Sequence, residues 1–159
     1  MRHVHIFIAS SSELKQDRFE LVDLLADLNQ DTFHQQNLSL RSEIWELWDS
    51  SMRSERKEDE YLKKLCICDI CIVLFWHTLG EYTLEELNVA VKKMQDGQLP
   101  KSVYVFFREP TDAISPELAQ FMIRFTERYS SIPYFKYKKY RDLRQIVTSI
   151  LHNETSLLK

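Results

Sequence analysis

Asp69-Ile70-Cys71-Ile72-Val73-Leu74-Phe75-Trp76 is the most apolar stretch of the chain, and its residues do not alternate between polar and apolar. A strand that is apolar on both sides must be covered on both sides, which is the place of a central strand in a parallel sheet. Working upstream, Asp49 to Lys57 is polar and reads as a loop entering a helix that runs to about Leu65. Leu38 to Trp48 mixes apolar and charged residues, as an edge strand does. His3 to Ala9 is short, β-branched and aromatic, a buried strand. Ser10-Ser11-Ser12-Glu13 follows as a hydroxyl-rich turn, and Leu14, Leu21, Val22, Leu25 and Leu28 then mark an amphipathic helix.

Downstream, Tyr82 to Gln95 reads as a helix closed by Asp96-Gly97, and Ser102 to Phe107 as a fourth strand. Ser115-Pro116-Glu117 is an N-cap with proline at the first helical position, opening a helix to about Tyr129. Pro133 to Tyr137 reads as a last edge strand and Asp142 to Leu151 as a closing helix. Strands alternating with helices imply crossover connections and a mainly parallel sheet. The expected class is therefore α/β: a flavodoxin-like three-layer sandwich with a five-stranded sheet in the order 2-1-3-4-5. That order puts the two polar strands at the edges.

The 159 residues fit one domain spanning 1–159. Hydrophobic residues make up 44% and charged residues 28%, a globular balance, and a net charge of −3 advertises neither nucleic acid nor an anionic membrane. No apolar run approaches the roughly 20 residues that span a bilayer. The first strand begins almost at once, leaving no room for a signal peptide, so a cytoplasmic location is expected. The polar stretch His152-Asn153-Glu154-Thr155 after the last helix fits the N-terminal part of something longer. With only two glycines, Gly80 and Gly97, the chain builds neither the G-x-G-x-x-G turn nor a P-loop.

Ligands of such sheets sit beyond the carboxyl ends of the strands, near the switch point between strands 1 and 3. Ser10 to Glu13, Trp48 to Ser51 and Trp76 to Glu86 are the segments expected there. In the last, Gly80 supplies the bend and Thr83 a cap. At about 100° per residue, Leu84, Leu87, Ala90, Val91 and Met94 share a face. Glu85 points away from that face and Glu86 lies on its flank, half-shielded. By itself the Glu-Glu pair also reads as solvated carboxylates at a helix N-terminus.

The run Ile6 to Arg18 (IFIASSSELKQDR), followed by G-x-Y-T-x-x-E-L-x-x-A from Gly80 to Ala90, resembles bacterial Toll/interleukin-1 receptor (TIR) and TIR-like domains. Tyr82, Glu86, Leu87 and Ala90 fall on that family's aromatic-x-x-x-E-L-x-x-A pattern, with tyrosine where many members have tryptophan. The resemblance implies an NAD glycohydrolase or cyclase with Glu86 catalytic, steadying the positive ribose left by departing nicotinamide. It implies no metal and no cofactor, NAD being the substrate. Trp48, Trp76 or Tyr82 would give a flat wall, and Ser10, Ser11 and Ser12 would meet the ribose and phosphates; Asp49, His77 and Gly80 complete the expected binding set. Such domains act as bacterial-defence effectors, activated by self-association and paired with a sensor domain or protein. No nucleic acid or membrane partner is expected. The competing readings are a non-enzymatic TIR interaction module and a nucleoside deoxyribosyltransferase-like enzyme.

Three other signals point to bland roles. Cys66, Cys68 and Cys71 lack a fourth zinc ligand nearby, and in an extended strand Cys68 and Cys71 would face opposite ways, so buried structural cysteine is expected. Lys136-Tyr137-Lys138-Lys139-Tyr140-Arg141 interleaves base and aromatic, but lysines also protect an edge strand. Ser10 to Lys15 lacks the glycine of a flavodoxin phosphate loop, and the ends of strands 1 and 3 lack the acids of a response-regulator receiver.

Overall fold

The computed structural model describes residues 1–44 and 58–157. The strands are β1 (Arg2–Ser10), β2 (Leu38–Glu43), β3 (Ile70–Phe75), β4 (Ser102–Arg108) and β5 (Tyr134–Tyr137). The helices are α1 (Lys15–Leu28), α2 (Glu58–Leu65), α3 (Glu81–Gln95), α4 (Pro116–Arg128) and α5 (Tyr140–Ser156). All strand pairings are parallel, in the order β2-β1-β3-β4-β5. This is the flavodoxin-like sandwich that the alternation of elements predicts.

Alternate residues of each central strand face opposite layers. Ile6 and Ile8 of β1, Ile72 and Leu74 of β3 and Phe106 of β4 pack with α1 and α5. Phe7 and Ala9, Val73 and Phe75, and Val105 and Phe107 pack with α2, α3 and α4. All six residues of β3 are buried, so this strand is the hub of both cores. The register extends past its start, where His5 N donates to Asp69 Oδ2 at 2.9 Å and Asp69 N to His5 O at 2.8 Å. At the far edge the Asn29 amide clamps β2: Leu40 N donates to Asn29 Oδ1 at 2.7 Å, and Asn29 Nδ2 to Leu40 O at 2.9 Å. The side chain thereby stands in for a neighbouring strand.

Local expectations meet three corrections. Cys68 lies in the turn before β3 and joins Cys71 in one core layer, so the two do not face opposite ways. Thr83 does not cap α3; it lies within the first turn, buried, and Gly80 holds the cap position. Gly80 adopts φ −63° and ψ 130°, open to any residue, so the bend does not need its freedom. What glycine relieves there is crowding, since an added Cβ would lie 3.1 Å from Thr83 Oγ1. Gly97, by contrast, has φ +74°, as a left-handed helix ending demands. Among the described residues no helix is long and apolar enough to cross a membrane.

Candidate functional site

The segments that follow β1 and β3 converge on one side chain, Glu13, placed by the short helical turn Ser12–Leu14. Its Oε2 accepts from the Thr78 hydroxyl at 2.7 Å, Thr78 N at 3.1 Å, the Ser11 hydroxyl at 3.2 Å and His77 N at 3.4 Å. Its Oε1 lies 2.9 Å from His77 Nδ1. The other ring nitrogen, Nε2, lies 3.1 Å from Thr111 N and 3.3 Å from Asp112 N. Two backbone donors at Nε2 make it the acceptor and put the ring proton on Nδ1, facing Glu13. Burial works to raise the Glu13 carboxyl, but hydrogen bonds from the side chains and backbone of Thr78 and His77 outweigh it and hold the pKa below the ordinary value.

A second cluster is built on α1. Asp17 is fully buried, accepts from the Tyr137 hydroxyl at 2.6 Å and pairs with Arg108 Nη1 at 3.0 Å. Burial pushes its carboxyl up, against the pull of Tyr137 and Arg108. Arg108 is sandwiched between rings, its guanidinium carbon 4.0 Å from the centre of Trp76 and 5.2 Å from that of Tyr140. Trp76 is fixed in turn by its indole N–H, which donates to Glu109 O at 3.0 Å. Arg18, also buried, donates to Ser10 Oγ and, at 2.9 Å, to Ser11 O. A cationic plane is therefore held rigid at the carboxyl edge.

Beside it, beyond the ends of β4 and β5, opens a cavity of about 470 Å³. Phe107, Met122, Pro110 and Tyr137 make its apolar wall, Arg108, Lys136 and Lys138 bring positive charge, and Glu109 and Asp142 offer acceptors. Cavities of this size with an apolar lining and a few polar groups suit small organic ligands.

The expected site residues are dispersed around this edge. Ser10 to Ser12 lie at the end of β1, but the Ser10 hydroxyl donates to Ser11 O and accepts from Arg18, while that of Ser11 serves Glu13. Trp76 and His77 are near neighbours with rings 4.3 Å apart, yet both His77 nitrogens are engaged within the fold. Tyr82 is exposed on the first turn of α3, and Glu86 is 4% exposed, buried rather than half-shielded. Helical position alone underestimates this cover. Its charge adds to burial in pushing the Cys71 thiol up. Leu87 and Ala90 are buried beside it. Trp48 and Asp49 lie outside the described residues. Among the described residues no group of three or more His, Cys, Asp or Glu could hold a metal.

Asp17, Arg18 and Arg108 are not among the residues expected from the sequence, and Glu13 received no role there. A signal was present. At about 100° per residue Asp17 and Arg18 fall on the same stripe as Leu14, Leu21, Leu25 and Leu28. Charges on a core-facing stripe call for partners.

No family model and no curated protein matches this sequence. Among solved structures the chain is similar to rubredoxin oxygen:oxidoreductase from Desulfovibrio gigas, with a TM-score of 0.55 and 13% identity over 99% of this chain. It spans only 37% of that protein's length. It also aligns with an NADH:FMN oxidoreductase, EmoB, at TM-score 0.44 and 13% identity, covering 86% of this chain and 76% of that one. A third is RosB with bound 8-demethyl-8-formylriboflavin-5'-phosphate, at TM-score 0.38 and 12% identity, covering 87% and 66%. Such distant likeness carries the fold alone.

These findings correct the expectation of an NAD glycohydrolase or cyclase with no cofactor. The similar structure with a TM-score above 0.5 is an oxidoreductase, and its description names no cleavage of NAD. The geometry adds a reason, because the serine turn assigned to the NAD phosphates is filled by the Glu13 carboxylate. A flavin phosphate does not fit that turn either, since Glu13 already takes up its donors. The cavity beyond β4 and β5 instead sets Arg108, Lys136 and Lys138, with the carboxylates of Glu109 and Asp142, beside an apolar wall.

Proposed function

We propose that this chain is the ligand-binding domain of a flavin-dependent oxidoreductase, taking a phosphorylated flat heterocycle of the flavin mononucleotide class beyond β4 and β5. The observation that carries the reading is the cavity of about 470 Å³ whose cations stand beside an apolar wall at the carboxyl edge of the sheet. The protein's part is to bind and orient. Lys136 and Lys138 attract the phosphate, and Phe107, Met122 and Tyr137 exclude water from the ring. Arg108, held by Trp76, Tyr140 and its pair with Asp17, would offer its remaining guanidinium N–H groups to the ligand. When bound, a flavin supplies one- and two-electron transfer.

The test is titration of the folded protein with flavin mononucleotide, followed by flavin fluorescence, with riboflavin and adenosine monophosphate alongside. Saturable quenching that weakens at least about ten-fold (1.4 kcal/mol) in the double variant Lys136→Glu, Lys138→Glu supports the reading. No saturable change up to about 1 mM ligand, a binding free energy weaker than about 4 kcal/mol, refutes it.

A further inference from the structure

The surroundings of Glu13 are those of a bound anion. Its two oxygens receive the Thr78 hydroxyl at 2.7 Å, His77 Nδ1 at 2.9 Å, Thr78 N at 3.1 Å, the Ser11 hydroxyl at 3.2 Å and His77 N at 3.4 Å. The donors come from two separate segments of the chain, converge on one point, and sit beside the switch point of the sheet. They are also pre-set. The Thr111 and Asp112 N–H groups fix the tautomer that turns the His77 proton towards the anion. The His77 carbonyl, accepting from Ser115 N at 2.8 Å, pins the backbone of the loop. His77 is mostly buried and Glu13 is partly exposed, with 15% and 23% of their side chains reaching solvent, so the point is reachable from outside.

We propose that these donors form a phosphate-type anion site which the chain fills with its own Glu13, and that Glu13 thereby determines specificity by barring a ligand's phosphoryl group from the crevice between β1 and β3. A tethered carboxylate holds an effective concentration that a free anion must exceed. Charge repulsion adds to the exclusion, since a phosphate entering beside Glu13 meets a like charge at close range. The crevice that this fold ordinarily offers is thus closed from within, and an anionic ligand is left to the lysine-bearing cavity. The assignment of the Glu13 site holds whichever ligand that cavity takes.

The experiment uses the full chain and inorganic phosphate. Wild type and Glu13→Ala are melted with increasing phosphate against sodium chloride of equal ionic strength, and the Thr78 amide is followed by NMR. With Glu13 removed, phosphate should raise the melting temperature saturably and shift the Thr78 amide, with a Kd at least about ten-fold below any seen at that amide in wild type. Adding Thr78→Val to Glu13→Ala should weaken the binding again. If Glu13→Ala is unfolded without phosphate, recovery of the fold on adding phosphate supports the site equally. A folded Glu13→Ala whose Thr78 amide ignores phosphate overturns the proposal, as does one that stays unfolded at every phosphate concentration. Neither result touches the flavin reading, which is tested at Lys136 and Lys138 in the wild-type background.

Discussion

Replacing Asp17 with alanine removes the acceptor of two groups at once, and their exposures set the cost. Tyr137 is 3% exposed, so its hydroxyl has no water to turn to; an unsatisfied buried hydroxyl costs about 1–3 kcal/mol. Arg108 is 19% exposed and can partly re-solvate, which places its loss at the lower end of the roughly 3–5 kcal/mol for breaking a buried pair. The two penalties overlap, and the expected destabilisation is about 3–4 kcal/mol. Asp17→Asn keeps an oxygen for Tyr137 and loses the charge, for about 2 kcal/mol, whereas Tyr137→Phe spares the ion pair and costs about 1 kcal/mol. Urea unfolding at neutral pH measures all three, with the slope held constant as the check that only stability has changed. In a domain of this size the alanine variant should melt about 6–16 °C lower. The reasoning fails if Asp17→Ala loses less than about 1 kcal/mol, because that would mean the cluster is solvated and Arg108 is not held by it.

Acid should weaken the fold through Glu13. A carboxyl held below its ordinary value gives stability that is complete above the unfolded pKa, about 4.3, and is lost as pH falls through the lower folded value. Glu13→Gln should therefore start less stable at neutral pH and show a shallower loss below about pH 4.3, read from urea midpoints across that range; parallel curves for the two proteins would refute this. At the end of α3, Gly97→Ala forces a side chain into φ +74° with no atom within 4 Å to compensate. It should cost about 1 kcal/mol by thermal melting, and an unchanged or higher melting temperature would show that the turn can relax.

The order of elements was legible because β3 announces itself. A run apolar on both faces has only one place in a parallel sheet, and the polar strands then fall to the edges. Boundaries were less so: α5 extends from Tyr140 to Ser156, beyond the Asp142 to Leu151 read from the sequence. The reason is that Glu154 and Thr155 are buried, with Glu154 accepting from the Tyr104 hydroxyl across the layers. Such a polar contact leaves no apolar period. The carboxyl edge was legible as the place to look, but the sequence pointed to the crevice between β1 and β3, whereas the cavity opens beyond β4 and β5. Local spacing drew attention to Glu86 on its own helix, while Asp17, Arg108 and Tyr137 belong to three elements far apart in the chain and become partners only once the sheet exists. Glu13 sat in the right turn, and nothing in its neighbours along the sequence tells that its carboxylate is taken up by His77 and Thr78.

The bond from Tyr137 to Asp17 closes a loop of 120 residues and that from Arg108 one of 91. Loops that long form after shorter ones, because the entropy of closing them is met only when most of the sheet already stands. The cavity beyond β4 and β5 is therefore incomplete until the last strand has docked, and any ligand of it would meet a finished fold rather than guide an unfinished one. By the same logic the Asp17 cluster is expected to form after the folding transition state. Its loss should shorten the lifetime of the folded protein and leave the rate at which it forms nearly untouched, which unfolding and refolding kinetics of Asp17→Asn would read.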